Sequence, residues 1–443
     1  MITSAIVISA VLILAAATNT LSITTLIVTA VGTGLAYAAF KFSKEDGFES
    51  IEQFEKDKLL VVIVGGGFSG ICAAVQLKRR KIPFVVFEEA SSIGGTWWYN
   101  KYPGCACDLP GVTYSYSFYR YRGERFIPLQ TETLCYLKKV SRHFGIDQFI
   151  QLNTKVLGCS FDEVEKKWRV KTSKGEELVC THLVSAVGGL NVPRYPDIPG
   201  VESFEGDAIH TARWPMGYEL NGKRVAVIGT GSSSTQLISN IADKVEGLSV
   251  FQRSPAWVLP PAAETLAPRF LNENHFVKEI MLNLNIAKLI VSGDMVLKTL
   301  MTKCRLSRWL KDPMKKEMAA QVMNEDVRYK LLPSIEFGSK RLILSNTYLP
   351  SFNKNNVQLV DEGILKITKH GITTEDGAHH HFDTIIFGTG FDSLNSMKGL
   401  KVSRNCVSLA DVWGDCPNAY NGVMYPGFPN FFILLGPNTI LGR

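Results

Sequence analysis

The chain has 443 residues, more than a single core usually organises, so two packed domains and a leader are expected. Hydrophobic residues make up 46% and charged residues 20%, which excludes a disordered chain; a net charge of +7 without a basic block interleaved with aromatics excludes a nucleic-acid surface. Nine cysteines at irregular spacing, with Cys105 and Cys107 the one close pair and no second pair to complete a ligand set, speak against a metal site and for a reducing compartment.

From Met1 to Phe40 no side chain is charged, and Leu21 to Phe40 alone supplies the roughly 20 apolar or neutral residues that a spanning helix needs. Residues 1–45 are therefore expected to anchor the chain in membrane lipid. A turn at Thr18 to Thr20 would divide the run into two segments, the first from Ala5 to Ala17. A cleaved signal peptide would need a basic region ahead of the apolar run, and none is present. Lys41 and Lys44 put the rest of the chain on the cytosolic side of an intracellular membrane such as the endoplasmic reticulum.

The apolar run Lys58 to Val64, followed at once by Gly65-Gly-Gly-Phe-Ser-Gly70, reads as a buried parallel strand entering a tight turn. A helix over Ile71 to Arg80 and a second strand, Phe84 to Phe87, closed by Glu88, complete the unit. Here Gly65 permits the bend, Gly67 lets a pyrophosphate approach the backbone, and Gly70 lets helix pack on strand; Glu88 can accept hydrogen bonds from a ribose. A second unit starts at Lys223 to Ile228, turns through Gly229-Thr-Gly231-Ser-Ser-Ser234 and ends at Arg253. Ser234 replaces the third glycine, and Arg253 stands where an acid would bind a free ribose, which points to a 2′-phosphate. Two such units imply two dinucleotide cofactors.

The fold class expected is α/β, with two dinucleotide-binding Rossmann-like domains, the second inserted in the first. The first part of the first dinucleotide-binding domain would cover 58–200, and the second domain 201–350. Residues 260–332, rich in Lys, Leu, Met and Ala, are expected to form a helical insertion in the second domain, and 351–443 to return to the first.

The segment Phe204 to Pro215 resembles the fingerprint of the Baeyer–Villiger monooxygenases, a family of class B flavoprotein monooxygenases, through Phe204, Gly206, His210, Trp214 and Pro215. The stretch Gly94 to Asp108 is similar to a second pattern of that family through Gly95, Trp97, Tyr102, Pro103, Gly104 and Asp108. The resemblance implies FAD and NADPH as cofactors, molecular oxygen as co-substrate and a small apolar carbonyl compound as substrate, oxidised to an ester or lactone through a C4a-peroxyflavin. It implies Arg341 as the catalytic cation, Asp108 as the carboxylate that holds it, and a conformational role for His210 between the domains. It further implies that Gly95, Thr96, Trp97, Tyr114, Val156, Ser232 and Gln236 are cofactor-binding, and that Arg253 and Lys340 contact the 2′-phosphate of NADPH. Chains of this family usually run well past the position of Gly436 to Thr439, so the FAD-binding domain is expected to be incomplete at its C-terminal end. Gly388, where relatives usually carry Ala, reads as a change without consequence. Related flavin-containing monooxygenases that oxidise nitrogen or sulfur are the alternative, as is a flavin-binding protein without catalysis; Trp214, Asp108 and Arg341 favour the first reading.

Overall fold

The computed structural model describes residues 59–125, 127–260 and 305–439, with the backbone alone for 305–310. The expected membrane anchor and the larger part of the expected helical insertion lie outside these residues. Among the described residues no helix is long and apolar enough to cross a membrane.

Strand β1 (Val61–Val64) is buried along its whole length, as a four-residue run of Val and Ile covered on both faces must be. It is followed by helix α1 (Phe68–Arg79), which lays Ile71, Ala74 and Val75 on the core, and by β2 (Phe84–Phe87). Helix α2 (Thr96–Tyr99), helix α3 (Gln130–His143) and β3 (Ile150–Gln151) come next. An antiparallel meander of β4 (Val156–Asp162), β5 (Lys167–Thr172) and β6 (Glu177–Cys180) leads into β7 (His182–Ser185). The second unit opens with β8 (Asp207–His210) and β9 (Arg224–Ile228), then helix α4 (Ser232–Ile241) and β10 (Gly247–Phe251). Strand β11 (Val258–Leu259), helices α5 (Arg305–Ala320) and α6 (Glu325–Leu331), β12 (Ile343–Leu344) and helix α7 (Tyr348–Ser351) lie between it and the last strands. These are β13 (Val357–Val360), β14 (Ile364–Thr368), β15 (Gly371–Thr374), β16 (His379–His381), β17 (Thr384–Phe387), β18 (Val402–Arg404), β19 (Val407–Ser408) and β20 (Phe431–Ile433).

Two parallel five-stranded sheets carry the fold, one in the order β20-β7-β1-β2-β3 and the other β13-β10-β9-β17-β8. A third sheet, β19-β18-β4-β5-β6, packs on the first around Trp168, Phe161 and Phe431. One continuous apolar core joins the two dinucleotide units, running from Val61 and Ile71 through Trp97 to Val225, Leu237 and Val250.

The domain boundary differs from the sequence expectation. Residues 351–443 do not return to the first domain as a block, because β13 and β17 complete the second sheet beside β10 and β9. The chain rejoins the first unit only after Phe387, where β18 pairs with β4 and β20 with β7. Short buried strands look alike in sequence whichever sheet they join. Of the residues assigned to the helical insertion, the described end contains α5 and α6.

Candidate functional site

A cleft of about 1480 Å³ runs along the C-terminal ends of β1, β7, β9 and β10, the place where open parallel sheets bind ligands. It exceeds the roughly 300–1000 Å³ typical of a single small-molecule site. Both glycine turns open into it.

At the first turn Gly65 has φ of +108°, and a Cβ there would lie 2.5 Å from Ala186 O. Gly70 is closer still: its Cβ would be 1.8 Å from Gly65 O, so only glycine lets α1 reach the strand. The N-terminus of α1 has no side-chain cap and no acidic residue in its first turn, which leaves its N–H groups for an anion. Glu88 is buried, and its two carboxylate oxygens accept from the backbone N–H groups of Gly66 (2.6 Å) and Ala90 (2.8 Å). Burial pushes its pKa up, while those two amides pull it down. Glu88 also lines the cleft, and each carboxylate oxygen keeps a second lone pair, so it both braces the turn and can accept from a ribose.

The second turn repeats this geometry with different residues. Gly229 has φ of +104°, and its Cβ would meet Gly388 O at 2.7 Å. Ser234 is fully buried, with its hydroxyl donating to Gly388 O at 3.4 Å. A Cβ on Gly388 would lie 1.8 Å from Ser234 Oγ. The expectation that Gly388 is inconsequential is thereby corrected: it is the space that Ser234 occupies.

Arg253 follows the end of β10 and lines the cleft beside Ser254 and Lys340. Lys340 is brought there by the parallel pairing of β11 with β12, in which Val258 faces Ile343. Its Nζ donates to the Ser254 hydroxyl and, at 3.3 Å, to Ser254 O. Burial lowers the Lys340 pKa, and the neighbouring Arg253 lowers it further. Two cations and a hydroxyl converge on one point of the wall, a donor set suited to a phosphate dianion. Ser254 was not among the residues expected from sequence; a hydroxyl beside Arg253 at the strand end was the available signal. Ser233, which also lines the cleft, was missed in the same way.

Arg341 and Asp108 meet across the cleft. Arg341 Nε lies 2.9 Å from Asp108 Oδ2, and Nη2 donates to Oδ1 at 3.1 Å, a two-point contact that fixes the guanidinium plane. Tyr114 lies nearby, accepting from Trp97 Nε1 at 3.2 Å, and burial pushes its phenol up to about 12. Burial likewise pushes the Cys105 thiol up to about 12 and the Cys107 thiol up to about 11, so neither is a ready thiolate.

Of the other expected residues, Gly67, Gly95, Thr96, Trp97, Val156, Gly231, Ser232 and Gln236 line the cleft. Gly70, Ser234 and His210 do not: the first two are packing positions. Gln236 lines it, yet its carboxamide is taken up by Tyr102 and Ala106 rather than offered to a cofactor. His210 sits at the end of β8 and is 1% exposed. Its Nδ1 accepts from Ala212 N at 3.1 Å, and burial lowers its pKa to about 4. Nε2 therefore carries the proton of a neutral ring, buried beside the backbone of Gly390 and Arg194, whose favourable effect on the charged ring is outweighed by burial. His210 lies inside the second sheet, where Phe387 of β17 pairs with it, and does not line the cleft. Gly206 and Trp214 of the same segment are also packing positions, the first because a Cβ would lie 2.5 Å from Asp383 O.

Two dinucleotide cradles on two parallel sheets, one ending in an acid and one in a pair of cations, define a flavin- and pyridine-nucleotide-dependent oxidoreductase. The profile of the pyridine nucleotide-disulphide oxidoreductases matches residues 62–285. A Baeyer–Villiger monooxygenase of Streptomyces coelicolor is 35% identical over 388 residues, covering 86% of this chain and 74% of the relative. A phenazine N-monooxygenase of Lysobacter antibioticus is 32% identical over 430 residues, covering 87% and 79%. Among solved structures, cyclohexanone monooxygenase bound to ε-caprolactone superposes with a TM-score of 0.76 at 28% identity, covering 86% of this chain and 83% of that one. The chain belongs to the class B flavoprotein monooxygenases. It is an NADPH-dependent flavin monooxygenase, with FAD and NADPH as its cofactors.

Proposed function

We propose that this enzyme inserts one atom of O2 beside the carbonyl of an apolar ketone, a Baeyer–Villiger oxidation giving an ester or lactone. The overall balance is ketone, O2, NADPH and a proton to ester, water and NADP+. Bound FAD supplies the redox chemistry, accepting a hydride and activating oxygen. The chain supplies binding and charge. Gly65, Gly67 and the open end of α1, with Glu88, suit FAD; Gly231, Ser232, Arg253, Ser254 and Lys340 suit NADPH.

The observation that carries the reading is the paired contact of Arg341 with Asp108 on the cleft wall between the two cradles. A guanidinium stays charged at any working pH and offers donors in a fixed plane. Held by Asp108, it stabilises the negative charge that develops on oxygen as the carbonyl is attacked and needs no reorientation to do so. Burial keeps the neighbouring Tyr114 phenol and Cys107 thiol neutral, so neither competes with the guanidinium for the developing charge. N-oxygenation is the second reading, favoured by the similarity to the phenazine N-monooxygenase. The apolar run Met1 to Phe40 would hold the enzyme on a membrane with the cleft in the cytosol.

The deciding experiment follows NADPH oxidation and products with a panel of ketones, an amine and a thioether. Ester formation that falls by at least about 100-fold in Arg341→Ala is expected. Amine oxide or sulfoxide as the sole product would replace this reading with the second. Extraction of the full chain from membranes by carbonate, without detergent, would overturn the anchor.

A further inference from the structure

Gln236 lies in the second turn of α4, whose N-terminus forms the NADPH cradle, yet its side chain reaches away to the first unit. Its Oε1 accepts from the Tyr102 hydroxyl at 2.8 Å and from Ala106 N at 3.2 Å, and its Nε2 donates to Ala106 O at 3.1 Å. Ala106 presents one donor and one acceptor, so the carboxamide has a single workable orientation, and its oxygen is fully used. The same segment touches α4 again at Gly104, where a Cβ would lie 2.0 Å from Asn240 Nδ2 and 2.8 Å from Gln236 O. Just beyond Ala106, Asp108 takes hold of Arg341 from the second unit.

Tyr102 to Asp108 belongs to the first unit in sequence but is fastened to the second at both ends. We propose that Gln236 is a positioning residue: by clamping Ala106 and Tyr102 to the NADPH helix it sets where Asp108 stands, and through Asp108 where Arg341 points. The inference rests on the role given to Arg341 above. Without the carboxamide, Ala106 N–H, Ala106 C=O and the Tyr102 hydroxyl all lose a partner, so the segment keeps its backbone bonds to the first unit, Gln130 N to Cys105 O and Cys107 N to Pro128 O, but loses its hydrogen bonds to α4 and with them its register against the second unit. A displacement of about 1 Å at a reacting centre can cost on the order of 100-fold in rate.

The clamp is tested in the full, flavin-loaded chain carrying Gln236→Leu, which keeps the bulk and removes the hydrogen bonds. Amide hydrogen exchange reads it without catalysis. Ala106 N–H donates to Gln236, whereas Cys107 N–H donates to Pro128 O at 2.9 Å, so the neighbour serves as the control. Exchange at Ala106 should rise about tenfold or more, with Cys107 changed less than about twofold. NADPH affinity should stay within about twofold, while oxygenated product per NADPH consumed falls about tenfold, the balance appearing as hydrogen peroxide. Arg341→Ala should add much less in the Gln236→Leu background than alone, because the two act on one pair.

A tenfold loss of NADPH affinity with Ala106 still protected would overturn the proposal and make Gln236 a cofactor ligand. Full multiplicativity with Arg341→Ala, or loss of protection throughout the chain, would overturn it as well. Should Gln236→Leu not fold, Tyr102→Phe removes one hydrogen bond and keeps the ring; it must show the same pattern in smaller measure, and a wild-type profile there counts against the clamp. If the wild type oxygenates an amine or thioether and no ketone, the proposed function fails, but the exchange and product-yield comparisons still decide the clamp.

Discussion

The two glycine turns solve one packing problem in opposite ways. In the first, the helix contributes no side chain, Gly70, and the adjoining strand end contributes a methyl, Ala186. In the second, the helix contributes Ser234 and the strand end has no side chain, Gly388. What each crossing fixes is the total volume between helix and strand rather than the residue on either side. The polar groups at the strand ends differ too. Glu88 is buried and tied to two backbone amides, whereas Arg253 is exposed and shares its place with Lys340.

The largest effect should come from removing the tightest approach. In Gly70→Ala the new methyl meets Gly65 O, a backbone atom in a turn that cannot shift without losing its own shape. A loss of at least about 3 kcal/mol in denaturant unfolding is expected, together with purification free of flavin. A yellow, equally stable variant would show that the first turn has slack.

Acid should act on the two units with opposite sign. His210 of the second sheet has a folded pKa of about 4, below its ordinary 6.5, so the unfolded chain binds the extra proton. Its contribution to stability is present above about pH 6.5 and is lost as pH falls towards 4. Glu88 is shifted upward by burial, so the folded chain holds its proton longer, and stability from that group is lost as pH rises through its folded pKa. His210→Gln should therefore shrink the fall in unfolding free energy between pH 7 and pH 4 by up to about 3 kcal/mol. An unchanged pH profile would mean that the ring is reached by water.

The glycine turns were legible in sequence because their demand is local: a residue at positive φ or in backbone contact must be glycine, as at Gly65 and Gly229. Glu88 and Arg253 were legible because each stands within two residues of the end of a short strand. The pair of Arg341 with Asp108 spans 233 positions, and no periodicity joins such residues, so only family resemblance linked them. Ser234 and Gly388 are 154 positions apart, and their shared space was invisible for the same reason. The placement of β13 and β17 failed because parallel strands take partners far away in the chain. His210 shows the reverse limit: resemblance singled it out, and the structure adds that it is buried within the second sheet beside Phe387.

The reciprocity of the crossings can be tested directly. Gly388→Ala puts a methyl against the buried Ser234 hydroxyl and should cost about 1–3 kcal/mol. Adding Ser234→Gly rebuilds in the second unit the pairing of Gly70 with Ala186, and should recover most of that loss. A double variant no better than Gly388→Ala alone, measured by denaturant unfolding, would mean that the backbone rather than volume sets the fit.

The smallest effect concerns the cations. Arg253→Ala leaves Lys340 and Ser254 in place, so binding of NADPH should weaken by about tenfold, or about 1.4 kcal/mol, with binding of NADH nearly unchanged. Lys340 carries the sharper signal. In the native site burial and Arg253 both hold its pKa down, so NADPH affinity should fall with rising pH earlier than an ordinary lysine allows. Without Arg253 one of those two causes is gone and the Lys340 pKa rises, moving that fall to higher pH. Titration of NADPH binding across the alkaline range compares the two proteins, and coincident pH profiles would show that Arg253 and Lys340 do not share one phosphate.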